Sequence, residues 1–215
     1  MKLWLPVGLF VAVAAWMVFA AHSPSDKQGL YTIQNDVQFN EVLGKVRDLI
    51  QQPIVNFDSG VKLTDQQVKD LKEGETLIKQ MVAYAPANFG PYVMLAKTQR
   101  ALGEMDQALR NYQQALDMAP KDSNEPSVVI TIAEVKFDLG SYYYERSEYD
   151  KADKLVDEAI GAVPDNAKYL STSAAIKSQI GKPNEARTLV DRALKLNPND
   201  ATAKSLDVEL KRIGH

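Results

Sequence analysis

The chain has 215 residues, 45% of them apolar, with 25 Lys+Arg against 28 Asp+Glu and no cysteine. That length suits one domain plus an appendage, with ample apolar matter for a core. The net charge of -3 leaves no global pull towards nucleic acid, and the missing thiols exclude disulfides, a lipid-modified N-terminal cysteine and thiol catalysis.

Residues 3–21 form 19 positions without a charge, preceded by Met1 and Lys2 and followed by His22, Ser23, Pro24 and Ser25. As a helix the stretch rises about 28 Å, close to the hydrocarbon thickness of a bilayer. Trp4 falls where an aromatic belt residue belongs. The leading expectation for residues 1–21 is an uncleaved transmembrane signal-anchor. A secretory signal cut after Val18 and Ala20 is the competing reading, although its apolar region is usually shorter, about 7–15 residues. With Lys2 inside, both readings export the rest of the chain to the periplasm or cell surface.

Residues 22–36 are polar, contain Pro24 and Gly29, and read as a tether. From Val37, the residues Phe39, Val42, Leu43, Val46, Leu49 and Ile50 recur at helical spacing, predicting a helix to about Gln51. Pro53, Asp58, Ser59 and Gly60 predict a loop over 52–63. Thr64 with Gln67 is a capping-box signature opening a helix that carries Val68, Leu71, Leu77, Ile78 and Met81 and stops before Pro86. Residues 37–88 are thus expected to be an N-terminal helical cap with a degenerate repeat, of which the helix after Thr64 is the second helix.

Three blocks then repeat one another: 89–122, 133–166 and 167–200. Each reads as helix, tight turn, helix, with the second helices marked by Ala108, Tyr112, Ala115 and Pro120, by Ala152, Val156, Ala159 and Pro164, and by Ala186, Val190, Ala193 and Pro198. Closely crossing helices need small side chains at the contact, which the alanines supply. Proline lacks an amide hydrogen, so each of the three ends its helix. Ten extra residues, 123–132, precede the second block; Pro126, Val128, Ile132, Val135 and Leu139 predict one extended helix from about Pro126 to Arg146. It overhangs its neighbours by about 15 Å. The repeat units are accordingly 89–122, 123–166 and 167–200, and 201–215 is expected to be a charged C-terminal capping helix.

A period of 34 residues, as between Ala152 and Ala186 or Pro164 and Pro198, with this alanine and proline pattern resembles the tetratricopeptide repeat family. The aromatic that usually opens a repeat is Tyr92 in the first but Lys136 and Leu170 in the others, and the first-helix tyrosine survives only as Tyr143, with Gln99 and Lys177 elsewhere. The resemblance implies an all-α helical-hairpin solenoid. Joined to the apolar leader, it is similar to membrane-attached bacterial proteins that assist envelope assemblies, including cytochrome c maturation and secretion.

Chemistry-bearing constellations are sparse. The only histidines are His22 and His215, no phosphate-binding glycine loop occurs, and Glu145, Glu148 and Asp150 lie at a helix junction where charge faces water. No catalytic residues, metal site or cofactor are expected. In the family, first helices line a groove for a peptide or a partner's helix. By register the groove residues are Val93, Met94, Lys97 and Arg100, then Glu134, Phe137, Asp138, Ser141 and Tyr144, then Lys168, Ser171, Thr172, Ala175 and Ser178. Phe137 and Tyr144 are expected as aromatic anchors, with Lys97 and Arg100 available to a peptide carboxylate. The chaperone-tail subtype is disfavoured: of Val93, Lys97, Asp138, Lys168 and Thr172 at its carboxylate-clamp positions, only Lys168 fits. The expected partner is a protein or peptide, with self-association as the alternative.

Overall fold

The computed structural model describes residues 32–212 and residue 214. Among these residues the chain forms helices and no strands: α1 (Asp36–Asp58), α2 (Asp65–Tyr84), α3 (Phe89–Ala101), α4 (Met105–Met118), α5 (Pro126–Glu145), α6 (Tyr149–Ala162), α7 (Ala167–Gln179), α8 (Pro183–Leu196) and α9 (Ala201–Arg212). None of them is long and apolar enough to cross a membrane. The expected anchor, residues 1–21, lies outside the described residues. The chain divides after Asp122 into two compact units.

In the first unit α1 and α2 pair, and α3 packs on both before pairing with α4. The Asn35 side chain caps α1 by accepting from the Gln38 amide at 2.9 Å. Thr64 and Gln67 close a reciprocal capping box on α2. The apolar stripe of α1, Phe39, Val42, Val46, Ile50 and Ile54, meets Leu71, Ile78 and Met81 of α2 and Met94 and Leu95 of α3. Gly74 permits that approach, since a Cβ there would collide with Ile50 Cγ2.

The expected loop over 52–63 is mostly helix: α1 continues through Pro53 to Asp58. Proline in a helix interior forfeits one backbone hydrogen bond. Here Pro53 and Ile54 are themselves buried, and Phe57 packs against the same core. The apolar face therefore outweighs the broken ladder, and the connection shortens to residues 59–64.

In the second unit α5 pairs with α6 and α7 with α8, α6 packs on α7, and α9 lies on α7 and α8. Ala152, Val156 and Ala159 of α6 are wholly buried with Ala133, Phe137, Tyr169 and Ile176. One hairpin later Ala186, Val190 and Ala193 are buried with Leu170, Ala174, Ala203 and Leu210. At the α5/α6 crossing Gly140 stands so near that a Cβ would lie 2.6 Å from Val156 Cγ2 and 3.3 Å from the Ala152 carbonyl.

The three hairpin turns are built alike. Gly103, Ser147 and Gly181 sit at positive φ, +81°, +61° and +74°. Each is flanked by the paired bonds of a Schellman motif: Gly103 N–H to Arg100 O at 3.1 Å and Glu104 N–H to Gln99 O at 2.8 Å in the first, with the same pairs at Ser147 and Glu148 and at Gly181 and Lys182. Beyond the helices, Pro120, Pro164 and Pro198 each stand two residues past the last helical position of α4, α6 and α8.

Two expectations follow. Gly140→Ala and Ala152→Leu each overpack the α5/α6 crossing and lower stability in urea melts by about 1–3 kcal/mol; a neutral result would remove the close crossing from the account. Ser147→Gly raises stability by about 0.5–1 kcal/mol, because the left-handed penalty of about 1–2 kcal/mol exceeds glycine's extra unfolded-state entropy.

Candidate interaction surface

The first helices of the hairpins, α3 in the first unit and α5 and α7 in the second, carry the residues expected to face a partner. On α3, Val93, Met94 and Lys97 are buried. Met94 belongs to the core shared with α1 and α2. Arg100 forms an ion pair with Asp58 and lies over the Phe57 ring at 5.2 Å. The guanidinium expected for a peptide carboxylate is thus already engaged by the end of α1, the segment that sequence patterning assigned to a loop.

On α5 and α7 the residues sort differently. Phe137 is buried, its ring stacked on Tyr169 with centroids 4.5 Å apart and Lys168 Nζ 5.4 Å from its centroid. It is therefore a packing residue between two first helices, not an exposed anchor: the side of α5 facing α7 is an apolar contact in its own right. Ser171 and Ala175 are buried as well, and the Ser171 hydroxyl donates to Asp200 at 3.3 Å. Glu134, Asp138, Ser141, Tyr144, Thr172 and Ser178 keep partial access to solvent, and Lys168 is exposed.

Electrostatics mark the same face. Burial pushes the Tyr169 hydroxyl well above its ordinary value of 10.0, and the negative charges of Glu134 and Asp138 add to it. Tyr144 is raised by burial, by Tyr149 and by Glu209 of α9. Both phenols stay protonated, as hydrogen-bond donors, well into alkaline solution.

Behind this face lies a polar arrangement that sequence reasoning missed. Where the family carries a first-helix tyrosine, Gln99 donates to Glu75 at 3.0 Å and to Gln107 at 3.2 Å and accepts from Asn111 at 2.7 Å. Burial raises the Glu75 carboxyl, but hydrogen bonds from Lys79 and Gln99 more than reverse this, leaving it below its ordinary value. In the second unit the equivalent Lys177, nearly fully buried, reaches Asp153 and Asp157 at 2.8 Å and Glu185 at 3.8 Å. Tyr143 holds the intervening position under Lys151, 5.0 Å from the ring centroid. In register, each node touches the residue eight positions later, Gln107, Lys151 or Glu185, and Gln99 and Lys177 also touch the one 24 earlier, Glu75 or Asp153. The signal was present as a departure from the family pattern: polar side chains at a core position call for partners. Tyr169 gave less warning, since it sits beside the periodic Leu170.

Among the described residues no group of histidines and carboxylates is placed to hold a metal ion. What the geometry offers chemically is hydrogen bonding, ring contact and charge.

Residues 90–122 match the model of the tetratricopeptide repeat. Over 142 residues the chain is 29% identical to protein O-mannosyl-transferase TMTC1 of Mus musculus; the match covers 66% of this chain and only 14% of that relative's length. PilF of Pseudomonas aeruginosa superposes with a TM-score of 0.58 at 18% identity, over 80% of this chain and 70% of that one. A tetratricopeptide repeat protein from Parabacteroides merdae gives a TM-score of 0.52 at 20% identity, over 79% and 60% of the two chains. The fold is thus all-α and of tetratricopeptide type, a repeat architecture associated with protein interaction.

Phe137→Ala is expected to cost about 3 kcal/mol of stability in urea melts by emptying the space beside Tyr169, so loss of binding in that variant would report unfolding before it reported a contact. For Lys177, burial lowers the pKa, but the hydrogen bonds and charges of Asp153 and Asp157 carry it above the ordinary 10.5. A raised cation stabilises the fold fully below its unfolded pKa and loses that contribution as pH rises through the folded one. The stability gap between the native chain and Lys177→Met should therefore hold from pH 7 to 10 and narrow above 10.5; a gap unchanged at pH 11.5 would show that packing, not charge, sets it.

Proposed function

We propose that this protein is a non-catalytic scaffold that binds another protein or peptide. In this reading residues 3–21 hold it at a membrane, or direct its release if they are cleaved, with the helical hairpins outside the cytoplasm. Its place would be in a cell-envelope assembly such as cytochrome c maturation or secretion. One observation carries the binding role. On α5 and α7 the buried sides are fully used by packing, yet Glu134, Asp138, Ser141, Tyr144, Lys168, Thr172 and Ser178 form a face of mixed hydrogen-bonding and charged groups that the core does not need. Rigid helices presenting such side chains suit recognition of an extended segment or a partner helix. The export reading rests on the 19 uncharged residues and Lys2.

Self-association is the second reading, favoured by Leu196 and Val208, which are 46% and 68% exposed on α8 and α9. Concentration-dependent sedimentation of the chain alone separates it from the first.

The test is crosslinking capture from native membranes with the chain and with a Ser141→Arg, Thr172→Arg, Ser178→Arg variant. Each change adds bulk and charge at a partly exposed position. Recovery of one defined partner is expected to fall at least about tenfold, equivalent to about 1.4 kcal/mol, with helical content unchanged. Equal recovery by both would exclude this face.

A further inference from the structure

The end of the α5–α6 hairpin is unusually rich in rings: Tyr142, Tyr143, Tyr144 and Tyr149 all lie within eight residues, and all are partly exposed. Its neighbours show how rings in this unit are used. Arg146 lies over Tyr142 with 5.6 Å to the centroid, Lys151 over Tyr143 at 5.0 Å, and Lys168 over Phe137 at 5.4 Å. Each of these faces is already met by a cation from the chain itself, the arrangement that the ring quadrupole favours.

Tyr144 and Tyr149 differ. Their rings face one another at 5.8 Å and 51°, and among the described residues neither carries a cation. The two nearby cations are committed elsewhere, because Glu148 binds Arg146 at 3.4 Å and Lys151 at 2.6 Å. Along residues 144–151 carboxylates outnumber cations, with Glu145, Glu148 and Asp150 against Arg146 and Lys151. Glu145 ends α5 and is exposed, Asp150 stands exposed in the first turn of α6, and Glu209 of α9 acts on the Tyr144 hydroxyl. None of these three carboxylates enters an ion pair among the described residues.

We propose that the Tyr144–Tyr149 pair, on a turn that also carries the exposed Glu145 and Asp150, is the docking point for an arginine-bearing segment of the partner protein. The inference rests on the scaffold reading and adds to it the chemistry of what is bound. A guanidinium is planar, weakly hydrated and able to lie on a tyrosine face while its N–H groups reach carboxylates. An acidic segment meets a turn on which carboxylates of its own sign outnumber the cations. A wholly apolar one leaves Glu145 and Asp150 without partners. Charge and ring chemistry therefore select the cation, and the surroundings repeat in trans what Arg146 and Lys151 do in cis.

The experiment titrates the full chain with a ten-residue peptide carrying two arginines and with the same peptide carrying citrulline, an uncharged isostere. Ring signals of selectively labelled tyrosine are followed by NMR. The arginine peptide should bind at least about fivefold more tightly, with shifts centred on Tyr144 and Tyr149, and the preference should weaken with salt. Tyr144→Phe retains it. Tyr144→Leu with Tyr149→Leu, which keeps apolar bulk but removes the rings, should abolish it, and Glu209→Gln should reduce it. Equal affinity for the two peptides, or an arginine preference that survives in a folded double-leucine variant, overturns the inference. If those results come with capture of a native partner intact, the scaffold reading stands without this site. If the unaltered chain captures no partner, the scaffold reading itself fails, whatever the peptides do.

Discussion

Everything described here depends on how closely paired helices can cross. At the α5/α6 crossing the Gly140 backbone sits where even a Cβ would press on Val156 and the Ala152 carbonyl. The alanines at 108, 115, 152, 159, 186 and 193 are all buried. Small residues at a crossing let two backbones approach, and dense packing then turns that approach into a fixed geometry. In each paired hairpin from α3 to α8, the alanine-bearing face of the second helix is thereby used for structure. The first helices, the turns and the outer faces of the other helices are left for function.

The first helices cannot give all of their surface to a partner either. In the second unit α5 meets α7, where Phe137 stacks on Tyr169, and in the first unit Met94 of α3 joins the core around α1. Polar nodes add a second constraint. Gln99 and Lys177 replace an aromatic with groups that must be satisfied internally, and the carboxylates and amides around them do so. A buried cation held by two aspartates is costly to disturb once in place. The nodes consequently fix which hairpin stacks on which, and they withdraw several charged residues from the surface that partners meet.

Of the expected groove residues on α5 and α7, those that remain accessible are narrow in chemistry: hydroxyls at Ser141, Tyr144, Thr172 and Ser178, the carboxylates of Glu134 and Asp138, and the ammonium of Lys168. Such a surface carries no reacting constellation. It offers directional hydrogen bonding and ring contact on helices packed onto their cores, which suits recognition of another chain.

The sequence by itself determined the helical hairpins and their limits. Alanine spacing, the prolines past each second helix and the glycines at two of three turns are local signals whose meaning hardly depends on the rest of the molecule. The junction after Arg146 was expected too, although nothing in Ser147 as a residue type signalled its αL conformation. Tertiary structure decided the remainder. Pro53 read as a breaker, and only the burial of Ile54 and the packing of Phe57 explain why α1 runs on to Asp58, where it pairs with Arg100 of the expected binding set. Phe137 and Tyr144 share one helical stripe in the sequence, yet one is sealed by Tyr169 and the other keeps access to solvent. Periodicity assigns a residue to a side of its own helix. Whether that side meets water or another helix depends on neighbours many residues away, which only the folded chain brings together.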